Sequence, residues 1–193
     1  LEDPWNEPLD DAWVMTKNPE DTPDTPTYTE IEFEAGKPVA VDGKKMKLSE
    51  IVIALNKISG DNGFGRLDLV EDRLVGLKSR ECYEVPGALT LITAHKALED
   101  ICVEGDLLKT KIKLEQDWAT AVYNGQWYSP LKNALDAFMA DTQKFVTGTV
   151  RLKFFKGNCH VVGRKSPFSL YDYGLATYDR DTTFDEKASA GFI

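Results

Sequence analysis

Between residues 28 and 34 apolar and acidic positions alternate. Ile31 and Phe33 stand among Glu30, Glu32 and Glu34, a period of two that predicts a half-buried strand over Tyr28 to Glu34. Gly36 interrupts the pattern, and Pro38 to Val41 reads as a second strand ending at the hairpin signal Asp42-Gly43. The period then lengthens. Ile51, Leu55 and Ile58 share one helical face, so a helix is expected over Glu50 to Ser59, with Ser49 as its cap and Gly60 as its stop. Leu67 to Val70 and Leu74 to Lys78 read as short strands on either side of Glu71-Asp72-Arg73.

Pro86 opens a predicted helix to about Ile101, and Leu107 to Tyr123 reads as another, ended by Asn124-Gly125. Ser129-Pro130 is an N-cap followed by proline at the first helical position, with the helix running to about Phe145. Alternation returns over Thr147 to Phe155, with Val150, Leu152 and Phe154 inward, and Cys159 to Arg164 pairs back across Lys156-Gly157-Asn158. The pairings are hairpins, so the expected class is α+β: a mainly antiparallel sheet packed with helices.

The first 26 residues follow neither period. They hold Pro4, Pro8, Pro19, Pro23 and Pro26, five of the nine prolines, a density that prevents a helix or a central strand. They also hold Trp5, Trp13, Val14 and Met15, which are costly to leave in water. Residues 1–26 are therefore expected to form an extended proline-rich arm that packs on this domain, another domain or another subunit. Residues 27–193 form the folded domain.

Charge sharpens that division. The net charge is −9, and residues 1–26 carry eight acids against the single base Lys17. The remainder is nearly neutral, with 24 acids and 22 bases, so the clustered basic surface of a nucleic-acid binder is missing. No apolar run approaches the roughly 18 residues of a membrane helix, and the first residues lack a basic-then-apolar signal pattern. Cys82, Cys102 and Cys159 are odd in number and widely spaced, which reads as reduced thiols serving as small apolar residues.

Several signatures fail on their context. Gly157 to Ser166, GNCHVVGRKS, has the wrong spacing for a phosphate-binding loop and is followed by Pro167 instead of a helix. Ser59 to Gly63, SGDNG, follows a helix and reads as its stop. His95 and His160 have no neighbouring ligand cluster and read as structural or surface histidines, not a metal site. One segment stands out. Gly63 to Glu84 packs Arg66, Asp68, Glu71, Asp72, Arg73, Lys78, Arg80, Glu81 and Glu84 among short strands and glycines. Polar groups at strand ends and turns present small zwitterionic ligands, although a salt-bridged surface hairpin has the same composition.

That segment resembles the family motif of the argininosuccinate synthases, and the likeness extends along the chain. LEDPWNEP (Leu1 to Pro8), VYNGQWYSPL (Val122 to Leu131), TGTVRLKFFKGN (Thr147 to Asn158), GRKSPFSLY (Gly163 to Tyr171) and AGFI (Ala190 to Ile193) fall in the family's order. The resemblance implies the C-terminal synthetase, or multimerisation, domain of an ATP-dependent ligase. That ligase joins L-citrulline and L-aspartate and releases AMP and pyrophosphate, in cytoplasmic arginine biosynthesis. It also implies that ATP, taken with Mg, is bound mainly by an N-terminal domain whose Ser-Gly-Gly-x-Asp-x-Ser loop this sequence lacks.

The same resemblance implies a homo-tetramer in the full enzyme and no membrane or nucleic-acid partner. Glu71, in V-E-D-R, and Tyr83, in C-Y-E, match the family's citrulline-binding glutamate and tyrosine, with no catalytic proton transfer assigned to either. Arg73, Lys78 and Arg80 are basic neighbours able to meet a carboxylate or phosphate. Many members read K-S-R-G before an aliphatic residue where this chain has Glu81 and Cys82. As an isolated chain, the alternative reading is a non-catalytic oligomerisation and substrate-docking module.

Overall fold

The computed structural model describes residues 1–177 and 182–192, so Ile193, the last residue of AGFI, lies outside the described residues. Five antiparallel strands make the main sheet. They are β1 (Thr27–Glu34), β2 (Lys37–Val41), β3 (Lys44–Lys45), β6 (Gly148–Phe155) and β7 (Asn158–Lys165), in the order β3-β2-β1-β6-β7. A separate two-stranded ribbon joins β4 (Arg66–Asp72) to β5 (Lys78–Glu84). The helices are α1 (Leu48–Asp61), α2 (Pro86–Cys102), α3 (Gly105–Tyr123) and α4 (Pro130–Thr142), with single turns α5 (Tyr173–Ala176) and α6 (Ser189–Phe192) near the end.

The alternation seen in the sequence places the core. Ile31 and Phe33 of β1 and Val150, Leu152 and Phe154 of β6 project onto one sheet face and are at most 2% exposed. Ile51 and Leu55 of α1 and Ala94 and Leu98 of α2 cover them in one cluster. Each large apolar side chain so buried contributes about 1.5–3 kcal/mol. The opposite face is polar, with Glu30 of β1 paired to Arg151 of β6 at 2.5 Å. Asp42-Gly43 forms the expected hairpin turn, with φ of 50° and 76°, the backbone that favours glycine at the second position.

Beyond this sheet, α3 buries only Lys111 and Ala121. Leu108 packs against the core, and an ion pair ties the helix to α2: Lys111 meets Glu99 at 2.9 Å, both side chains about 5% exposed, and Glu99 also accepts from Gln143 at 2.6 Å. Burial disfavours the Lys111 ammonium, but its bonds to Glu115 and Glu99 outweigh that and raise its pKa. His95 is part of this structural network through Gln143 at 2.8 Å, and His160 lies within β7. Cys102 is buried with the core, and Cys159 packs against it with its thiol pushed up to about 12 by burial, so Cys159 remains a protonated apolar group.

Three sequence expectations need correcting. Leu74 to Lys78 is not a strand: Leu74 to Leu77 form the exposed ribbon tip, with Gly76 at φ 81°, and the partner strand starts at Lys78. Helix α1 begins at Leu48 with Lys47 as N-cap, its backbone N–H satisfied by Glu50 at 2.8 Å; Ser49 is already inside. Helix α4 stops at Thr142, before Phe145.

The arm lies along its own domain. Apart from short 3₁₀ turns at Asp10–Ala12 and Pro19–Asp21 it is irregular. Lys17 N–H donates to the Gly60 carbonyl at 3.0 Å, and a Cβ at Gly60 would collide with the Met15 carbonyl, so that helix end needs glycine for close approach. Farther along, Lys156 Nζ reaches the Thr22 carbonyl at 2.8 Å and Asp24 at 2.9 Å.

Candidate functional site

The ribbon leaves the body at the Gly65–Val85 backbone bond of 2.8 Å and has no helix against it comparable to the cover on the main sheet. Its register sorts the charged segment into two faces, because residues directly paired across antiparallel strands point the same way. Arg66, Asp68, Val70 and Asp72 share one face with Glu84, Cys82, Arg80 and Lys78. Leu67, Leu69 and Glu71 share the other with Tyr83, Glu81 and Ser79.

The first face holds the arm. Glu84 accepts from the backbone N–H groups of Val14, Met15 and Thr16 and from the Thr16 hydroxyl, at 2.6–3.0 Å. Burial alone would raise its pKa, but these bonds outweigh burial and hold the carboxyl below 4.5. Arg66 donates to Thr16 and Asn18 and lies 4.9 Å above the Trp13 ring. Arg80, with its side chain 5% exposed, forks onto Asp68 at 2.9 and 2.6 Å. Its remaining nitrogen donates to the carbonyls of Leu1, Asp3 and Asn6. Lys78 pairs with Asp72 at 2.6 Å.

The second face is open. It lines a depression of about 570 Å³ with Glu71, Arg73, Glu81 and Tyr83, the tip residues Leu74 and Val75, and Tyr123 from the end of α3. Tyr83 O–H donates to Glu71 Oε1 at 2.8 Å. That bond, then burial and the charges of Glu71 and Glu81, pushes the phenol up to about 12, so Tyr83 stays a donor throughout the neutral range. Arg73 is turned along the strand pair, onto Ser79 Oγ at 2.9 Å and Glu81 at 3.0 Å.

Glu71 differs from every other acid of the ribbon. Asp68, Asp72 and Glu81 each have a basic partner, and Glu84 has the arm amides. Among the described residues Glu71 has only the Tyr83 hydroxyl. A carboxylate left with spare acceptor capacity beside a hydroxyl, in a depression with apolar walls, is equipped to receive an ammonium or N–H group. A second depression, about 490 Å³ between β2, β3 and α1, offers less. Its charges are the loose Lys45–Glu34 pair at 3.8 Å, Lys47 at the N-cap of α1, and Glu50, which is engaged in capping that helix.

The structure thus brings Glu71 and Tyr83 into contact, with Arg73 beside them. Lys78 and Arg80 lie on the other face, engaged with Asp72 and with Asp68 and the arm. Sequence reasoning assigned no role to Tyr123, although it stands in the VYNGQWYSPL stretch, nor to the tip residues Leu74 and Val75. Among the described residues no three His, Cys, Asp or Glu come together to hold a metal, and no helix is long and apolar enough to cross a membrane.

Comparison with known proteins matches the chain to a family. The family model described as Arginosuccinate synthase C-terminal domain matches residues 1–193. Proteins named argininosuccinate synthase are 54% identical in Bacillus subtilis, 53% in Thermosynechococcus vestitus and 52% in Rubrobacter xylanophilus. Each match covers all of this chain and 47–48% of the relative, so the chain spans about half the length of these curated relatives. With a family model covering it from end to end, the chain belongs to the argininosuccinate synthase C-terminal domain family.

Proposed function

We propose that this chain supplies the citrulline-positioning half of an ATP-dependent carbon–nitrogen ligase. The citrulline ureido oxygen attacks the α-phosphate of ATP, forming citrullyl-adenylate and releasing pyrophosphate. The aspartate amine then displaces AMP to give argininosuccinate. The observation that carries the reading is Glu71: the one ribbon acid without a charged or amide partner touches the one tyrosine that the family motif pairs with it.

In this reading Glu71 accepts a citrulline N–H or ammonium group while Tyr83 fixes the carboxylate and offers its oxygen at the same end of the ligand. Neither moves a proton. Orientation by fixed groups lowers a barrier without chemistry at those groups. The sequence has no phosphate-cradling loop, which supports the reading that ATP, taken with Mg, is bound mainly by an N-terminal domain of the enzyme. ATP, aspartate and citrulline as substrates fit a cytoplasmic setting.

Assembly is the second element of the proposal. Tyr128, 95% exposed, and Trp127 lie between α3 and α4, Leu131 is exposed in the first turn of α4, and Tyr171, Tyr173 and Leu175 are exposed beyond β7. Large apolar groups left exposed are what association surfaces cover, which fits a homo-oligomer, a tetramer in the full enzyme, and fits a docking role for the chain by itself. Sedimentation at micromolar concentration should show self-association; a strictly monomeric species counts against it.

The activity reading is tested by kinetics in an enzyme of full family length carrying this chain. Glu71→Gln should raise the citrulline KM roughly 10- to 100-fold, the loss of a hydrogen bond to a charged group, with ATP affinity in the absence of citrulline unchanged. Tyr83→Phe should do the same more weakly. Unchanged citrulline kinetics in both variants would make the pair structural and sink the assignment. The chain alone should release no pyrophosphate from the three substrates.

A further inference from the structure

Residues 1–12 are tied to the domain through a single polar anchor. Among the described residues, the hydrogen bonds from this stretch to residues beyond the arm all come from Arg80. One edge of its guanidinium forks onto Asp68, and the remaining nitrogen donates to the carbonyls of Leu1, Asp3 and Asn6 at 3.2, 2.8 and 2.7 Å. The carbonyls converge because the stretch closes on itself. The Asp3 carboxylate accepts from the Trp5 N–H at 2.9 Å and the Asn6 side-chain amide at 3.2 Å, and the Asn6 N–H donates to the Asp3 carbonyl at 3.1 Å. LEDPWNEP, a stretch of the family resemblance that the proposed reading leaves without a task, is thus a compact turn around one buried cation.

The rest of the arm does not need this clasp. Glu84 and Arg66 hold residues 14–18, Lys17 bonds Gly60, and Lys156 holds Thr22 and Asp24. What Arg80 adds is the direction of residues 1–6. It adds it beside the candidate site: Arg80 pairs with Val70 and its neighbour Ser79 with Glu71, and the pleat sends the Arg80 side chain to the face opposite Glu71 and Tyr83. The other cations near the ribbon tip, Arg73 and Lys78, are more than half exposed, whereas Arg80 is enclosed.

We propose that Arg80 is a positioning residue: it clasps the segment through which the rest of a family-length enzyme reaches this domain, and so aligns that other half with the open face of the ribbon. The inference rests on the citrulline reading of that face. The matching family model describes a C-terminal domain, and this chain spans 48% of the Bacillus subtilis relative. The half that holds ATP in the proposed reading therefore connects through the arm. The first step joins a ureido oxygen held at the ribbon to a phosphate held by that half. Groups on separate parts of a chain react only when those parts are in register, and a displacement of about 1 Å costs roughly 100-fold in rate. A guanidinium fixed to a carboxylate at one edge and to convergent carbonyls at the other supplies register without touching the substrate. Because Glu71 and Tyr83 meet on the other face, loss of the clasp leaves citrulline its receptor and misaligns the reacting partner. The effect falls on the rate at saturation and spares KM.

The test uses an enzyme of full family length carrying this chain, with variants R80A, R80K and E71Q, read by steady-state kinetics and single-turnover release of pyrophosphate. R80A should slow pyrophosphate release at saturating substrates about 30- to 100-fold, with the citrulline KM within about threefold of the parent. R80K keeps a cation for the carbonyls but loses the planar fork on Asp68, so it should recover at least about fivefold of that loss and stay about fivefold or more below the parent. A citrulline KM raised in R80A as far as the rate is lowered shows a ribbon that has merely loosened, and overturns the proposal. So does a parental rate in R80A, or an R80K variant no better than R80A. Where R80A does not fold, R80K decides alone: a slowed rate with parental KM supports the clasp, and a parental rate overturns it. E71Q separates the two readings. A raised KM in E71Q beside a parental rate in R80A sinks the positioning role alone, whereas an unchanged KM in E71Q sinks the citrulline reading beneath it.

Discussion

The two faces of the β4–β5 ribbon are built from the same short stretch of sequence and put to opposite uses. On one, Arg66, Arg80 and Glu84 are saturated by the arm, and the Arg80 side chain is only 5% exposed. On the other, Glu71 carries a charge that one hydroxyl partly satisfies, beside an open depression. Saturated polar groups hold a structure together, and unsatisfied ones are available to a ligand. The ribbon has no hydrophobic layer of its own comparable to the one beneath the main sheet. The arm therefore takes the place of a core, setting the ribbon's direction and with it where Glu71 and Tyr83 stand relative to Tyr123.

Breaking the arm face should cost the most stability. Glu84→Ala strands the N–H groups of Val14, Met15 and Thr16 and should lower stability by about 2 kcal/mol, less than the sum of its bonds because water reaches the released amides. Thermal unfolding checks this, and an unchanged Tm would show that the arm is incidental. A smaller, local effect is expected for Arg80→Gln: amide exchange at Trp5 and Asn6, whose N–H groups bond Asp3, should speed up about tenfold while the main sheet keeps its protection. Equal acceleration in β1 and β6 would contradict a local clasp.

Acid should loosen the same face. The Glu84 carboxyl is held below its ordinary 4.5, and Asp68, bonded to Arg80, below its ordinary 3.8. Groups with depressed values contribute fully above their ordinary values and lose that contribution as pH falls through the folded ones. The arm should hence stay docked at neutral pH and detach as pH falls below about 4.5, read by the fluorescence of Trp13 under Arg66. Release on raising the pH from 5 to 8 would have the wrong sign. The smallest effect belongs to the open face: Glu71→Gln should leave stability within about 0.5 kcal/mol, because the carboxylate stabilises little beyond one tyrosine hydroxyl. A large loss would make Glu71 another structural acid and erase the contrast.

The main sheet was legible in the sequence because one of its faces packs on helices. Ile31 and Phe33, like Leu152 and Phe154, are kept at a period of two by burial. The ribbon was legible only in part. Burial imposes no such alternation on Lys78 to Glu84, whereas Leu74, Val75 and Leu77, apolar and 63–78% exposed, imitate a strand where the chain turns. That the arm docks on its own domain could not be read from its prolines and acids, since its anchors are backbone groups meeting Arg66, Arg80 and Glu84. Family resemblance supplied Glu71 and Tyr83, but their contact depends on a diagonal across the register. So does the separation of Arg73 from Arg80, which composition treats alike and the pleat sends to opposite faces. Tyr123 enters the site from α3, a relation only the tertiary structure contains.

The central claim is that the open face receives citrulline while the arm face holds the ribbon. Calorimetric titration of citrulline into an enzyme of full family length carrying this chain, with a non-hydrolysable ATP analogue bound, tests it most directly. The account predicts that Glu71→Gln weakens citrulline binding at least about tenfold with an unchanged Tm. Parental citrulline affinity in Glu71→Gln, or a weakened affinity matched by a comparable loss of Tm, would contradict it.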